Sequence, residues 1–506
     1  MTNHLFELIR SRLPAFDKML METPEGRILT YGAALDASGR IANLLVKTGV
    51  KPGDRVAAQV EKSPEAILLY LACIRAGAVF LPLNTAYAKA ELEYFMGDAE
   101  PRVVVCDPAR RIDIESATAQ LKTVTRFTLD AAGEGSLTDH AGKAEPGFTD
   151  IARAPDDLAA ILYTSGTTGR SKGAMLTHDN LASNALTLVD YWQFTETDVL
   201  LHALPVYHTH GLFVAVNTIL LAGGSMLFLG KFDPGTMFRL LPRATTMMGV
   251  PTFYTRMLDD PRLNAESARH MRLFISGSAP LLAETHRGWQ TRSGHAILER
   301  YGMTETNMST SNPYDGERIA GTVGFPLPGV ALRITDPETG AELPQGEIGM
   351  IEVKGPNVFK GYWRMPEKTA AEFRPDGFFI TGDLGVIDAK GYVTIVGRGK
   401  DLVITGGLNV YPKEVETEID AIPGVLESAV FGLPHRDLGE SVTAAVVLRQ
   451  GAVLDEGRVL AALEGRLARF KHPKRVIFVD ELPRNAMGKV QKNLLRERWK
   501  AVYGTN

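Results

Sequence analysis

Cysteine is scarce in this 506-residue chain: only Cys73 and Cys106 occur, in unrelated apolar surroundings. That excludes a disulfide framework and a cysteine-rich zinc site, and both thiols are expected to lie buried in a reducing compartment. An excess of one charge is lacking as well. Fifty-five Lys and Arg stand against 59 Asp and Glu, for a formal charge of −4, so no nucleic-acid surface is expected. Long apolar runs are missing too. The uncharged stretch from Gly211 to Gly230 is broken by Asn217, Thr218 and Gly223-Gly224-Ser225, which reads as a buried helix plus a strand and not as a membrane span. The amino terminus, Met1-Thr-Asn-His-Leu-Phe-Glu, has neither the basic nor the apolar region of a signal peptide. A cytoplasmic protein with no membrane partner is the expectation.

What is present is the texture of a globular enzyme, with 45% hydrophobic and 23% charged residues. The length exceeds what one core supports, so two or more domains are expected. Up to about residue 395 amphipathic helices such as 64–76 alternate with short apolar strands such as 55–60 and 78–83. That alternation predicts an α/β fold with helix-flanked, largely parallel sheets. From Gly346 the pattern turns to short β segments with glycine turns (348–353, 378–382, 392–396), which predicts a small barrel or sheet. After Gly397-Arg-Gly-Lys-Asp401 the texture becomes α+β. The expected organisation is a large domain over 1–397, a hinge at 398–401 and a small mobile domain over 402–506.

The densest chemistry lies in Tyr163-Thr-Ser-Gly-Thr-Thr-Gly-Arg-Ser-Lys-Gly-Ala174, which follows the apolar strand 158–162. Thr164, Ser165, Gly166, Thr167 and Thr168 offer hydroxyls and unencumbered backbone N–H groups, and Lys172 adds a cation. Together they form an anion nest suited to a polyphosphate. It is not a Walker A loop, which ends Gly-Lys-Ser/Thr; here Lys172 sits between Ser171 and Gly173. In Glu299-Arg-Tyr-Gly-Met-Thr-Glu-Thr306 a turn carboxylate can hold Mg²⁺, a hard cation that takes protein and phosphate oxygens together. Asp383, in Thr381-Gly-Asp-Leu384, can accept from both hydroxyls of a ribose with Arg398 beside it; taken alone it reads more readily as a turn residue. Pro483-Arg-Asn-Ala-Met-Gly-Lys489 presents one lysine on a loop, which taken alone is a solvated side chain.

The order and spacing of these pieces, together with Leu204-Pro-Val-Tyr-His208, resemble the adenylate-forming enzymes: acyl-CoA synthetases, adenylation domains and luciferases. The resemblance covers nearly the whole chain and, within the family, is greatest to the malonyl-CoA synthetases. It implies a two-step ligase reaction in which a carboxylate attacks the α-phosphate of ATP, releasing pyrophosphate, and CoA then takes the acyl group and releases AMP. It implies that the loop and Lys172 hold the departing pyrophosphate, with Mg²⁺ on Glu305, and that Thr304 touches the α-phosphate. Glu299, Arg300 and Tyr301 are expected along the nucleotide, Tyr301 over the adenine, and Asp383 and Arg398 on the ribose. Lys489 is expected between the two reacting anions, whose repulsion would otherwise oppose their approach. Rotation about Lys400 would withdraw it for the second step. Gly406 and Gly407 would line a pantetheine tunnel and Lys231 would meet a CoA phosphate. Related synthetases also imply a lysine acyltransferase acting on Lys489 as an off-switch, since acylation removes the cation.

The acid is read from three residues. Arg256 lies in the apolar stretch 247–258, expected to line the acyl pocket, where a buried guanidinium calls for an anionic partner such as a second substrate carboxylate. The competing reading has it facing solvent and pairing with Asp259 or Asp260. His208 falls on the pocket motif and Ser278 adds a hydroxyl. Malonate is therefore the expected acid, with methylmalonate next because one methyl changes binding modestly. A ligase for another short or medium acid and a free-standing enzyme loading a carrier protein share the motifs; only 17 residues follow Lys489, so no fused carrier is expected. A P-loop NTPase fails on the Walker spacing. A non-catalytic nucleotide-binding module has no need of both Glu305 and Lys489.

Overall fold

A computed structural model of the chain describes residues 2–164, 171–406, 408–435, 438–464, 466–485 and 488–503. The chain falls into two compact units, Met1–Ala331 with Lys354–Phe379 and Leu332–Val353 with Ile380–Asn506. The expected hinge at 398–401 lies inside the second unit, because Phe379–Ile387 and Val393–Arg398 pair in one sheet with Gly349–Lys354.

The first unit contains two large sheets. One runs, in spatial order, Phe325–Pro326, Asn307–Ser311, Leu298–Met303, Leu273–Ser276, Thr246–Gly249, Val199–His202, Ser225–Phe228, Met19–Glu22 and Ile28–Thr30. Its central strands are parallel. Their residues are almost wholly buried, which is why they read in the sequence as continuous apolar runs instead of alternating ones. Gly249 stands opposite Ser276 and Ser276 opposite Glu299. The segments leaving these strands, at 250, 277 and 300, therefore emerge side by side at the carboxyl edge, where open α/β sheets place their ligands. Below that edge Trp289 packs edge-on to Tyr254 and Phe274, at 4.9 and 5.0 Å between ring centres, pairs that add about 1 kcal/mol each beyond burial.

The other sheet of this unit runs Gly361–Tyr362, Lys172–Thr177, Leu158–Thr164, Val79–Pro82, Arg55–Gln59, Val103–Cys106 and Thr125–Thr128. The helix His178–Tyr191 starts at a reciprocal cap in which the Thr177 hydroxyl accepts from Asn180 N and the Asn180 side chain accepts from Thr177 N. Further along, the same helix ties segments from both sheets. Asn180 Nδ2 donates to the carbonyls of Pro356 and Val358, and Asn184 Nδ2 donates to that of Met308. Phe359 N then donates to the Glu305 carbonyl at 2.7 Å, which brings the 354–363 segment against the Thr304–Glu305 turn.

In the second unit the short β segments form a four-stranded sheet, Ala331–Thr335, Gly349–Lys354, Phe379–Ile387 and Val393–Arg398. A second sheet runs Leu408–Val410, Val403–Thr405, Gly439–Leu448 and Val425–His435, with Arg475–Phe478 parallel to Gly439–Leu448. The helix Pro412–Asp420 buries Val415 and Ile419 against Val430, Val442 and Val446 of that sheet, an i, i+4 stripe of the kind that fixes which face turns inward. No described helix is long and apolar enough to cross a membrane.

Candidate active site

In the first unit the strands on either side of the hydroxyl- and glycine-rich loop pair antiparallel, with Thr164 opposite Lys172. Ser165, Gly166, Thr167 and Thr168 lie outside the described residues. Lys172 is buried, and its ammonium stands 2.9 Å from a Glu372 carboxylate oxygen and 4.1 Å over the Tyr362 ring. Glu305, also buried, receives the Tyr362 hydroxyl at 3.1 Å and the Thr164 hydroxyl at 3.4 Å. The structure thus gathers Thr164, Lys172 and Glu305, three residues separated by up to 141 positions, and adds two that sequence reading had not singled out, Tyr362 and Glu372. Their only sequence signal is Gly361-Tyr-Trp-Arg-Met-Pro-Glu367 and the short helix after it.

Two hydroxyls around one carboxylate are hard oxygen donors of the kind Mg²⁺ takes, and among the described residues no group of three or more His, Cys, Asp or Glu forms a self-sufficient metal cage. This donor set fits Mg²⁺, which commonly uses one or two carboxylates and completes its shell with phosphate oxygens and water. Thr304, half-buried, precedes Glu305 in a turn closed by Thr306 N donating to the Met303 carbonyl. Gly302 is required just before it, since a Cβ there would stand 1.8 Å from the Asn307 carbonyl oxygen.

Glu299 and Arg300, expected along the nucleotide, are both buried. Glu299 is buried and accepts from Gly321 N, so its carboxylate fastens the 312–322 loop. Arg300 is buried, and its guanidinium lies so close over Gly277 that a Cβ there would stand 2.3 Å from Cζ. Its Nε and Nη2 have no hydrogen-bond partner. Burial pushes the Arg300 pKa down to about 9, which still leaves a cation at neutral pH. Tyr301, next on the same strand, is half-buried and stands opposite Thr310.

Around that cation stand residues read for the acid. His208 and His210 follow the strand Val199–His202, and Ser278 follows Leu273–Ser276. Burial, then the Arg300 charge, pushes His208 down to about 4 and His210 well below its ordinary value, so both rings are neutral at pH 7. His210 Nδ1 is 3.2 Å from the Ser278 hydroxyl while its buried Nε2 has no partner. His210 also opens a turn of π-helix, His210–Val216, and Ser278 holds φ +71°, both local costs that recur at functional sites. Sequence reading gave His210 no role.

Arg256 is not buried. In the helix Pro251–Leu258 the inward face is set by Tyr254 and Met257, and Arg256 falls between them toward solvent. Asp260 pairs with Arg262. Of the two arginines it is Arg300 that is buried, while Arg256 is exposed. Lys231 is likewise exposed, just beyond the strand Ser225–Phe228.

The second unit holds the other candidates. Asp383 and Arg398 are cross-strand partners, with Nε to Oδ1 at 2.7 Å and Asp383 buried. Lys489, on a loop closed by Asn485 N donating to its carbonyl, has its pKa lowered to about 8. Burial is the main cause, followed by the charge of Arg398; Asp383 opposes the shift and Lys400 adds to it. Asp383, Arg398, Lys400 and Lys489 are thus one electrostatic cluster drawn from three stretches of the chain. Lys400 lies in a short 3₁₀ turn, Gly399–Asp401, and Asp401 is held by Arg496 at 2.7 Å. Gly406 turns the hairpin between Val403–Thr405 and Leu408–Val410 at φ +57°; Gly407 lies outside the described residues.

Comparison with known proteins matches residues 11–363 to the AMP-binding enzyme family and residues 414–489 to the AMP-binding enzyme C-terminal domain. A malonate–CoA ligase of Arabidopsis thaliana is 34% identical, the alignment covering 94% of this chain and 85% of that one. A feruloyl-CoA synthase of an Amycolatopsis species is 37% identical over 94% of both chains. The ATP-bound crystal structure of MatB from Rhodopseudomonas palustris superposes with a TM-score of 0.97 at 65% identity, covering 99% of this chain and all of that one.

Proposed function

The chain belongs to the AMP-binding enzyme family, and from that premise we propose that it is a malonate–CoA ligase. At the coarser level it is an ATP-dependent acid–CoA ligase with ATP and CoA as co-substrates and Mg²⁺ as metal. The observation that carries the choice of acid is Arg300, a buried cation with two unpartnered nitrogens beside two neutral histidines and Ser278. Such a site disfavours an alkyl or aromatic chain, because nothing apolar can return the cost of burying the charge. A carboxylate returns it through two parallel N–H···O bonds. An acid carrying one carboxylate for Arg300 and another for the reaction is a short dicarboxylate. Malonate fits, with methylmalonate second; the names of two relatives, malonate–CoA ligases of Arabidopsis thaliana and of mouse mitochondria, favour the same reading.

In the proposed first step an oxygen of the free carboxylate bonds to the α-phosphorus of ATP as the bond from that phosphorus to the α,β-bridging oxygen breaks, giving malonyl-adenylate and pyrophosphate. Lys172 and the Thr164–Thr168 loop hold the leaving pyrophosphate, whose charge develops as the bond breaks. Mg²⁺ held by Glu305 neutralises phosphate charge when bound. Thr304 donates to the α-phosphate, Tyr301 covers the adenine, and Asp383 with Arg398 orients the ribose. Lys489 offsets the repulsion between the attacking carboxylate and the α-phosphate. In the second step the CoA thiol attacks the acyl carbon, AMP leaves, and malonyl-CoA is formed. Movement about Lys400 takes Lys489 from the thiol's path, with Gly406 and Gly407 along the pantetheine and Lys231 toward a CoA phosphate. Arg256, exposed on the helix Pro251–Leu258, is the second candidate for the substrate's non-reacting carboxylate.

The test is pyrophosphate release across malonate, methylmalonate, oxalate, succinate, propionate, butyrate and ferulate, with and without CoA. Malonate is expected to lead by kcat/KM, with propionate lower by at least two orders of magnitude. A preference for propionate, butyrate or ferulate would remove the dicarboxylate reading while leaving the ligase.

A further inference from the structure

The loop lysine already has an anion. Lys172 Nζ stands 2.9 Å from Glu372 Oε1, and the two residues are 200 positions apart in the first unit. Glu372 also holds Lys368 at 2.9 Å and accepts the Tyr362 hydroxyl at 2.6 Å. That same hydroxyl lies 3.1 Å from Glu305 Oε1. One phenol carries one proton, so it serves one of these carboxylates at a time.

A buried ammonium with no counter-charge is costly, and before any nucleotide arrives Glu372 is what removes that cost. It is also a competitor. The proposed polyphosphate site and Glu372 both need the same amine, and the geometry that pairs Lys172 closely with one anion leaves less of it for another. Glu372 survives the exchange because Lys368 and the Tyr362 hydroxyl remain with it. We infer that Glu372 is a displaceable counter-anion for Lys172, a positioning residue that presets the lysine, yields it to the β- and γ-phosphates of ATP and reclaims it as pyrophosphate departs. The inference rests on the reading of Lys172 as a polyphosphate ligand. Its consequence is that the ligand-free protein is built to hold pyrophosphate less tightly than its loop alone would allow, which favours product release.

Binding of magnesium pyrophosphate, and of Mg·ATP without acid, to the full chain by calorimetry tests this. Glu372→Gln keeps the shape and the Tyr362 contact and removes the charge. It is expected to tighten pyrophosphate about three- to tenfold, the scale of a partly exposed ion pair given up on binding. Lys172→Met is expected to weaken pyrophosphate about tenfold or more, and adding Glu372→Gln to it is expected to change nothing further. Glu372→Asp, which lengthens the pair by one methylene, is expected to lie between the wild type and Glu372→Gln and serves if the amide variant does not fold. Weaker pyrophosphate binding in Glu372→Gln, or tightening that persists without Lys172, would overturn the counter-anion role. Unchanged binding in Lys172→Met would instead overturn the reading of Lys172 on which it rests.

Discussion

Arg300→Met separates a binding role from a structural one because the two predict opposite signs. The guanidinium is buried with Nε and Nη2 unpartnered, and burial pushes its pKa down from the ordinary guanidinium value to about 9. At 1.36 kcal/mol for each tenfold change, that drop corresponds to roughly 5 kcal/mol of unfavourable burial as an upper bound. Methionine nearly matches the side chain in volume and carries no charge, so the ligand-free variant is expected to be more stable by about 1–4 kcal/mol, as when buried charges are replaced by apolar groups of similar volume. The same change removes the partner of the second substrate carboxylate. Loss of a buried charge pair is worth about 3–5 kcal/mol, so kcat/KM for malonate is expected to fall by about two to three orders of magnitude. Propionate, which replaces that carboxylate with a methyl group, is expected to be used as well or better, and KM for ATP is expected to stay within about twofold. The assays are thermal melts of the ligand-free protein and initial rates of pyrophosphate release with each acid. A lower melting point with equal loss on both acids would make Arg300 structural. Arg256→Ala is the control: if malonate use fails with Arg256 and survives Arg300→Met, the pairing group is the exposed arginine.

Further outcomes are expected at three positions. Lys489→Ala should abolish adenylation, read as pyrophosphate exchange, yet largely spare thioester formation from supplied malonyl-adenylate; equal loss of both would refute its assigned role. With a pKa of about 8 in the free protein, the Lys489 cation is lost above that pH, so kcat/KM for adenylation should fall with a limb near pH 8 that Lys489→Arg moves upward. Its linkage sign is the reverse: the folded pKa lies below the unfolded value, the unfolded chain binds more protons between about 8 and 10.5, and stability should rise with pH in that window. Gly277→Ala places a Cβ 2.3 Å from Arg300 Cζ and should raise KM for malonate at least tenfold with KM for ATP unchanged, at an overpacking cost of about 1–3 kcal/mol. Unaltered malonate kinetics there would show that the position of Arg300 does not matter. Lys400→Pro should impair thioester formation selectively, and full overall turnover in that variant would exclude a hinge at Lys400.

The reaction class was written in the sequence because its pieces are local. Consecutive hydroxyls, glycines and one lysine between Thr164 and Lys172 are the sequence signature of a phosphate nest, a device whose backbone donors need no distant partner. The alternation of helices and apolar strands was equally local, and it predicted the parallel sheets whose carboxyl edge carries His208, Ser278 and Arg300. What tertiary structure alone decided were relations between distant residues. Arg256 and Arg300 both sit in apolar stretches, and nothing in either stretch says which guanidinium is buried. Helix phase, set by Tyr254 and Met257, turned Arg256 outward, while strand register laid Arg300 over Gly277. Glu372 and Tyr362 were invisible for the same reason, since their meaning comes from Lys172 and Glu305, placed beside them by sheet pairing and by the helix that ties the 354–363 segment. Composition and short motifs determine which chemistry a chain can present; which charge is left unpaired is settled only when packing removes water from one arginine and not from another.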